Sequence, residues 1–140
     1  MGQYLPHTNG RTCDSCEQRL KECHPFLGVW FRDMKEKYKS LHISCGFRSK
    51  ADQDKAFRDG KSQLKWPDSK HNNQLVNGKP LSLALDLFQL VNGKAEFNKA
   101  FMNTLNKESA ASYELRWGGE FKSLGDYCHF ELRYNSCLES

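Results

Sequence analysis

Two histidines and two aspartates are the residues of this sequence best suited to chemistry: His71, Asp86, Asp126 and His129. Each alone is a weak signal, because a single histidine or aspartate is more often packed or solvated than functional. Asp86 differs because it stands in an otherwise apolar segment, residues 81–88, where a carboxylate without a partner would cost several kcal/mol. A metal ion would compensate that charge. Two imidazoles and one carboxylate also leave a fourth position open, which is typical of catalytic zinc.

The hydrophobic pattern predicts how these side chains are positioned. Leu83, Leu85 and Leu87 alternate with polar or small residues, which predicts a strand that carries Asp86 on the face opposite the leucines. Periodicity and capping patterns predict the other elements, which are helices in residues 15–24, 25–39, 49–60 and 95–106 and strands in residues 41–45, 113–117 and 129–134. Asn77-Gly78 and Asn92-Gly93 predict tight turns. Because helices come first and strands later, the fold class is α+β, with a small antiparallel sheet that carries the zinc site and packs against helices.

Length and composition predict one folded domain. The chain has 140 residues, and we place an N-terminal arm at 1–14 and a single catalytic domain at 15–140. No apolar run is long enough to span a membrane, so no stable membrane association is expected. The start of the chain lacks a secretory signal, which predicts a cytosolic protein or release by another route. The net charge of +4 is scattered and mildly favours an anionic polymer without selecting cell wall or nucleic acid.

Six cysteines leave several interpretations open. Without a signal for export, reduced thiols are expected rather than disulfides. Cys13, Cys16, Cys23 and His24 have the ligand types of a structural zinc knot, and a zinc-ribbon-like nucleic-acid binder is a distant alternative. Against the knot, Cys16 to His24 has the pattern of a continuous helix, which favours ordinary buried thiols.

Six motifs follow one another along the chain. They are Ser15-x-x-x-Arg19-Leu20-x-x-x-His24-Pro25, Cys45-Gly46-Phe47-Arg48-Ser49, Ala51-Asp52-Gln53, Ser69-Lys70-His71-Asn72 with Leu83-Ala84-Leu85-Asp86-Leu87, Trp117-Gly118-Gly119-Glu120-Phe121, and Asp126-Tyr127-Cys128-His129-Phe130-Glu131. In this order they resemble one family, the LAS-type zinc metallopeptidases. This family includes VanY-like D-alanyl-D-alanine carboxypeptidases and the L-alanyl-D-glutamate endopeptidases that phages use as endolysins. Residues 73–82 are interpreted as an inserted turn between two ligands that lie closer together in the relatives.

The resemblance implies a role for each matching residue. Zinc is expected on His71, Asp86 and His129, with Asp126 as general base. Arg48 is expected to anchor a substrate carboxylate or stabilise the oxyanion, although a surface ion pair is the alternative. The remaining implied roles are substrate binding by Gln53 and Ser69, a cleft wall or plain core packing for Trp117, and a structural helix-end role for His24.

The function implied is a zinc-dependent peptidoglycan peptidase, a phage-type endolysin that hydrolyses the L-Ala–D-Glu bond of the stem peptide. The alternatives are a D-alanyl-D-alanine carboxypeptidase and a non-catalytic wall-binding module of the same fold. The expected partner is bacterial peptidoglycan, with no nucleic acid, and the expected state is a monomer. As an endolysin, the protein would stay in the host cytoplasm until a holin lesion releases it to the periplasm and wall.

Overall fold

The computed structural model describes residues 14–110, 114–120 and 127–133. The elements in chain order are α1 Asp14–Leu20, α2 Pro25–Lys37, β1 Leu41–Cys45, α3 Lys50–Arg58, a 3₁₀ turn Lys70–Asn72, β2 Ala84–Val91, β3 Lys94–Glu96, α4 Lys99–Leu105 continuing into a π turn Asn106–Ala110, β4 Leu115–Trp117, a 3₁₀ turn Gly118–Glu120, and β5 His129–Leu132. The predicted α+β class is confirmed. None of the described helices has the length and apolar character needed to cross a membrane.

The strands form one antiparallel sheet with β2 at its centre. The order is β1-β2-β5-β4, and β3 pairs with the far half of β2 through the Asn92-Gly93 turn. The register places Asp86 opposite His129 on β5 and opposite Cys45 on β1, where a bulge follows Ile43. Three residues far apart in sequence therefore meet at one level of the sheet.

The core lies between the first two helices and the leucine face of β2. Leu83, Leu85 and Leu87 are buried there, as the alternation predicts. The Trp30 ring on α2 lies 4.9 Å from the Phe130 ring on β5, measured between centroids. Burying such aromatic surface fixes α2 across the sheet. Asp86 consequently points to the other face, toward the polar site.

The predicted helix at residues 95–106 is wrong in its first third. Asn92 and Gly93 both have positive φ, at 52° and 79°, which is the backbone of a two-residue hairpin turn. The turn makes residues 94–96 pair with β2, and the helix begins only after Asn98, whose side chain accepts from the Phe101 amide. Phe97, which lies between β3 and the helix, is 51% exposed.

The first helix is also shorter than predicted. It ends at Leu20, and the Glu22 and Cys23 amides then bond three residues back, which tightens the chain into a turn. Cys23 then forms a parallel bridge with Ser82, which precedes β2. The predicted boundary of the N-terminal arm falls on Asp14, the first described residue, which is already helical.

Candidate metal centre

Asp86 lies at the point where two imidazoles converge. Its Oδ1 atom is 3.2 Å from His71 Nε2 and 3.0 Å from His129 Nδ1. Both histidines are buried, and the Asp86 side chain is 18% exposed. The structure thus brings together the three residues that the sequence predicts as ligands, although their coordination of a metal remains a prediction.

A capped turn delivers His71 to this point. Ser69 Oγ accepts from the His71 amide at 3.1 Å, and Asn72 Oδ1 accepts from the Ser69 amide at 3.1 Å, which forms a capping box. The Arg48 amide donates to the His71 carbonyl at 2.9 Å. These bonds fix the backbone of His71 on both sides of its side chain.

In each imidazole, the ring nitrogen that points away from Asp86 already has an oxygen partner. His71 Nδ1 lies 2.6 Å from the Gly46 carbonyl oxygen, and His129 Nε2 lies 2.8 Å from Glu131 Oε1. Because a carbonyl or carboxylate oxygen only accepts, these two contacts are hydrogen bonds when the two nitrogens carry the ring protons. In a neutral imidazole the other nitrogen then offers a lone pair, and both lone pairs face Asp86.

These three electron-rich atoms need a positive charge close to them. In the absence of a metal ion, a proton on an imidazole can provide that charge. Burial opposes charge on His71, yet Asp86 raises the pKa of His71 to about 10. Burial alone would raise the pKa of Asp86, but the two histidines hold that pKa well below its ordinary value. The same electrostatics attract a metal ion, and an N,N,O donor set fits zinc. The residues therefore fit the predicted metal.

Cys45 offers an alternative third ligand. Ligand atoms of Cys45, His71 and Asp86 lie within 4.8 Å of one another, and this group could hold a metal ion. Cys45 Sγ, however, is 3.8 Å from His71 Nδ1, the nitrogen that already donates to Gly46. His71 Nε2 and His129 Nδ1 both lie beside Asp86 Oδ1, so we favour the ligand set that contains His129. Sequence reasoning missed Cys45, whose placement depends on the register between β1 and β2.

Arg48 lies against Asp86, one of the predicted ligands. Its Nη2 is 3.4 Å from Asp86 Oδ2, its Nη1 donates to Gln53 Oε1 at 3.0 Å, and its side chain is 17% exposed. Gln53 is buried, and its Oε1 also accepts from Asn72 Nδ2 at 3.1 Å. Its Nε2 donates to Ser62 Oγ and to the Leu64 carbonyl, so its hydrogen-bonding capacity is filled.

Three residues predicted to bind substrate make hydrogen bonds within the protein, and their substrate contact stays a prediction. Gln53 holds Arg48 in place, and Ser69 caps the turn that carries His71. Trp117 is 5% exposed, its Nε1 donates to the Tyr127 carbonyl at 2.8 Å, and its ring stacks near Phe130 in the core. Trp117 thus packs in the core, and its place in a cleft wall stays a prediction. Asp126, the predicted base, lies outside the described residues.

The residues of the proposed zinc knot have separate roles. Cys16 is buried with its Sγ 3.7 Å from His42 Nδ1, and Cys23 Sγ donates to the Arg19 carbonyl at 3.2 Å. His24 Nδ1 accepts from the Phe26 amide at 3.1 Å and caps α2, which confirms its predicted structural role. Cys13 lies outside the described residues. Within the described ranges, the cysteines form no disulfide.

Comparison with known proteins points in one direction. No family model matches the chain, and no curated protein matches it in sequence. Among solved structures, the L-Ala D-Glu endopeptidase ChiX of Serratia marcescens is similar, with 26% sequence identity and a TM-score of 0.67 over 85% of this chain and 86% of that chain. This likeness confirms the resemblance to the LAS-type endopeptidases that the motifs indicate.

Proposed function

We propose that this chain, which shares the fold of an L-Ala D-Glu endopeptidase, is a zinc-dependent peptidoglycan peptidase that hydrolyses the L-Ala–D-Glu bond of the stem peptide. One observation carries the proposal. His71 Nε2 and His129 Nδ1 both face Asp86 Oδ1 while their other nitrogens donate elsewhere. An imidazole pair held in this way beside a carboxylate has the donor set of a catalytic zinc site.

The chain's own residues divide the work of amide hydrolysis. Zinc, when bound, supplies an activated water and polarises the scissile carbonyl. Asp126, from its place in the Asp-x-x-His-Phe-Glu motif, accepts the proton of the attacking water and returns it to the leaving amine. Arg48 lies beside Asp86 and can donate its remaining N–H groups to a carboxylate of the stem peptide, such as that of D-glutamate.

The rival enzyme is a D-alanyl-D-alanine carboxypeptidase, which would use the same metal chemistry. The similar solved structure is that of an L-Ala D-Glu endopeptidase, and this favours the internal bond. A non-catalytic wall-binding module would not require His71, Asp86 and His129 to converge. By the same resemblance we propose a monomeric endolysin that reaches the wall at lysis.

Metal analysis tests the centre on which this function depends. We expect one zinc per chain in the wild type, loss of that zinc in His129→Ala, and retention in the matched variant Cys45→Ser. Each substitution removes one candidate for the third ligand and leaves His71 and Asp86 in place, so the two variants together show which residue completes the site. Zinc lost from Cys45→Ser and kept by His129→Ala would move the site to Cys45. A wild type that binds no zinc would overturn the proposed function.

A further inference from the structure

Glu131 contacts the candidate centre without belonging to the predicted ligand set. It follows His129 by two residues on β5, and alternate residues of a strand point to the same side. Its Oε1 accepts from His129 Nε2 at 2.8 Å, and its side chain is 12% exposed. A carboxylate so placed competes directly with Asp86 for the one proton of a neutral His129 ring.

Two cations hold the other oxygen of Glu131. Lys70 Nζ is 3.4 Å and Arg116 Nη1 is 3.9 Å from Glu131 Oε2. Lys70 also donates to the Leu132 carbonyl, and it directly precedes His71. Its side chain is 25% exposed, whereas that of Arg116 is 51% exposed, so Lys70 is the better shielded partner. Lys70 therefore connects the turn that carries His71 with the strand that carries His129.

We propose that Glu131 is a positioning residue that fixes His129 in the tautomer with its proton on Nε2, so that the Nδ1 lone pair is directed toward the metal, and that Lys70 holds Glu131 in place. The inference rests on the proposed metal centre. The opposite tautomer would put the proton on Nδ1, where it would donate to Asp86 Oδ1 at 3.0 Å. That hydrogen bond would consume the lone pair that the metal needs and the Asp86 oxygen as well.

Zinc affinity of the full chain, measured by competition with a chelator, tests the role of Glu131. Glu131→Leu removes the acceptor and should weaken zinc binding about 10- to 100-fold, the range for residues that orient metal ligands. Glu131→Gln keeps an acceptor of similar size but turns its amide donors toward Lys70 or His129, so an intermediate loss is expected. Glu96→Gln, on the exposed strand β3, is the matched control and should bind like the wild type.

Nitrogen-15 NMR of the histidine rings gives a second readout that a merely structural role would not move. In the metal-free wild type, at a pH where the His129 ring is neutral, the proton should be on Nε2, and a proton on Nδ1 would overturn the inference even if every variant failed to fold. Wild-type affinity in both Glu131 variants would also overturn it while leaving the proposed centre intact. Failure of the wild type to bind zinc would overturn the centre and this inference together.

Discussion

Gly46 is the position where a single added carbon should disturb both the packing and the site. An alanine Cβ there would lie 2.9 Å from Cys23 Sγ and 3.3 Å from the Arg19 carbonyl oxygen. Cys23 and the backbone of α1 are packed in the core, so neither can move away freely. Gly46→Ala should therefore destabilise the fold by about 1 to 3 kcal/mol, the usual cost of overpacking.

The carbonyl of Gly46 connects this position with the candidate metal centre. It accepts from His71 Nδ1 at 2.6 Å and from Ser82 Oγ at 3.2 Å. A backbone shift at Gly46 should loosen the orientation of His71 and weaken zinc binding roughly 10-fold, as removal of an orienting partner does. In thermal unfolding of the metal-free protein, the overpacking corresponds to a fall in Tm of roughly 3 to 12 °C for a domain of this size.

A double-mutant cycle separates this steric cause from a general loss of stability. Cys23→Ala removes the sulfur that the new methyl group meets, so Gly46→Ala should cost less in that background by at least about 0.5 kcal/mol. Gly28→Ala is the matched control, because its Cβ would meet only the flexible Arg32 guanidinium at 3.0 Å and alanine favours a helix. Additive effects in the cycle would refute the steric argument. A lowered Tm with unchanged zinc affinity would refute the role of the carbonyl.

Three further predictions concern other parts of the chain. Gly119→Ala should destabilise strongly, because its Cβ would lie 2.3 Å from the Trp117 ring, and a Tm equal to that of the wild type would show that the turn repacks without cost. Asp126→Ala should keep zinc but lose about 10² to 10⁴-fold in turnover of stem peptide, whereas full activity in the loaded variant would remove it as the base. Burial, followed by the influence of Cys45, raises the pKa of Cys23 to about 12, so the native thiol should escape alkylation by iodoacetamide at pH 8 in peptide mass mapping. Rapid modification of Cys23 in folded protein would contradict its burial.

Local patterns were sufficient to predict Asp86 and the capping residues. The alternation of leucines fixes the face of a strand because its period is two residues, so Asp86 could be placed opposite the core. Ser49 caps α3 through a bond to a nearby amide, as the capping pattern predicts, whereas the helix-end role of His24, which caps α2, was implied by the family resemblance. These features involve residues close together in sequence, which is why the sequence carries them.

Strand register and side-chain packing could not be read in the same way. Cys45 reaches the site because β1 pairs with β2 beyond a bulge, and the sequence contains no signal for that register. A helix was expected from residue 95, but residues 94–96 pair with β2 instead, because the hairpin turn places them beside this long central strand. Glu131 was within reach of sequence reasoning, because the i, i+2 spacing from His129 already places both side chains on one face.

The ends that the protein creates in purified peptidoglycan test the central claim most directly. The zinc-loaded protein should be incubated with intact wall fragments, and the new termini identified by mass after labelling of amino groups. New L-alanine carboxyl ends and D-glutamate amino ends are expected, and they should disappear when a chelator removes the metal. Release of terminal D-alanine alone would contradict the proposed bond, and absence of new ends with fully loaded protein would contradict the peptidase itself.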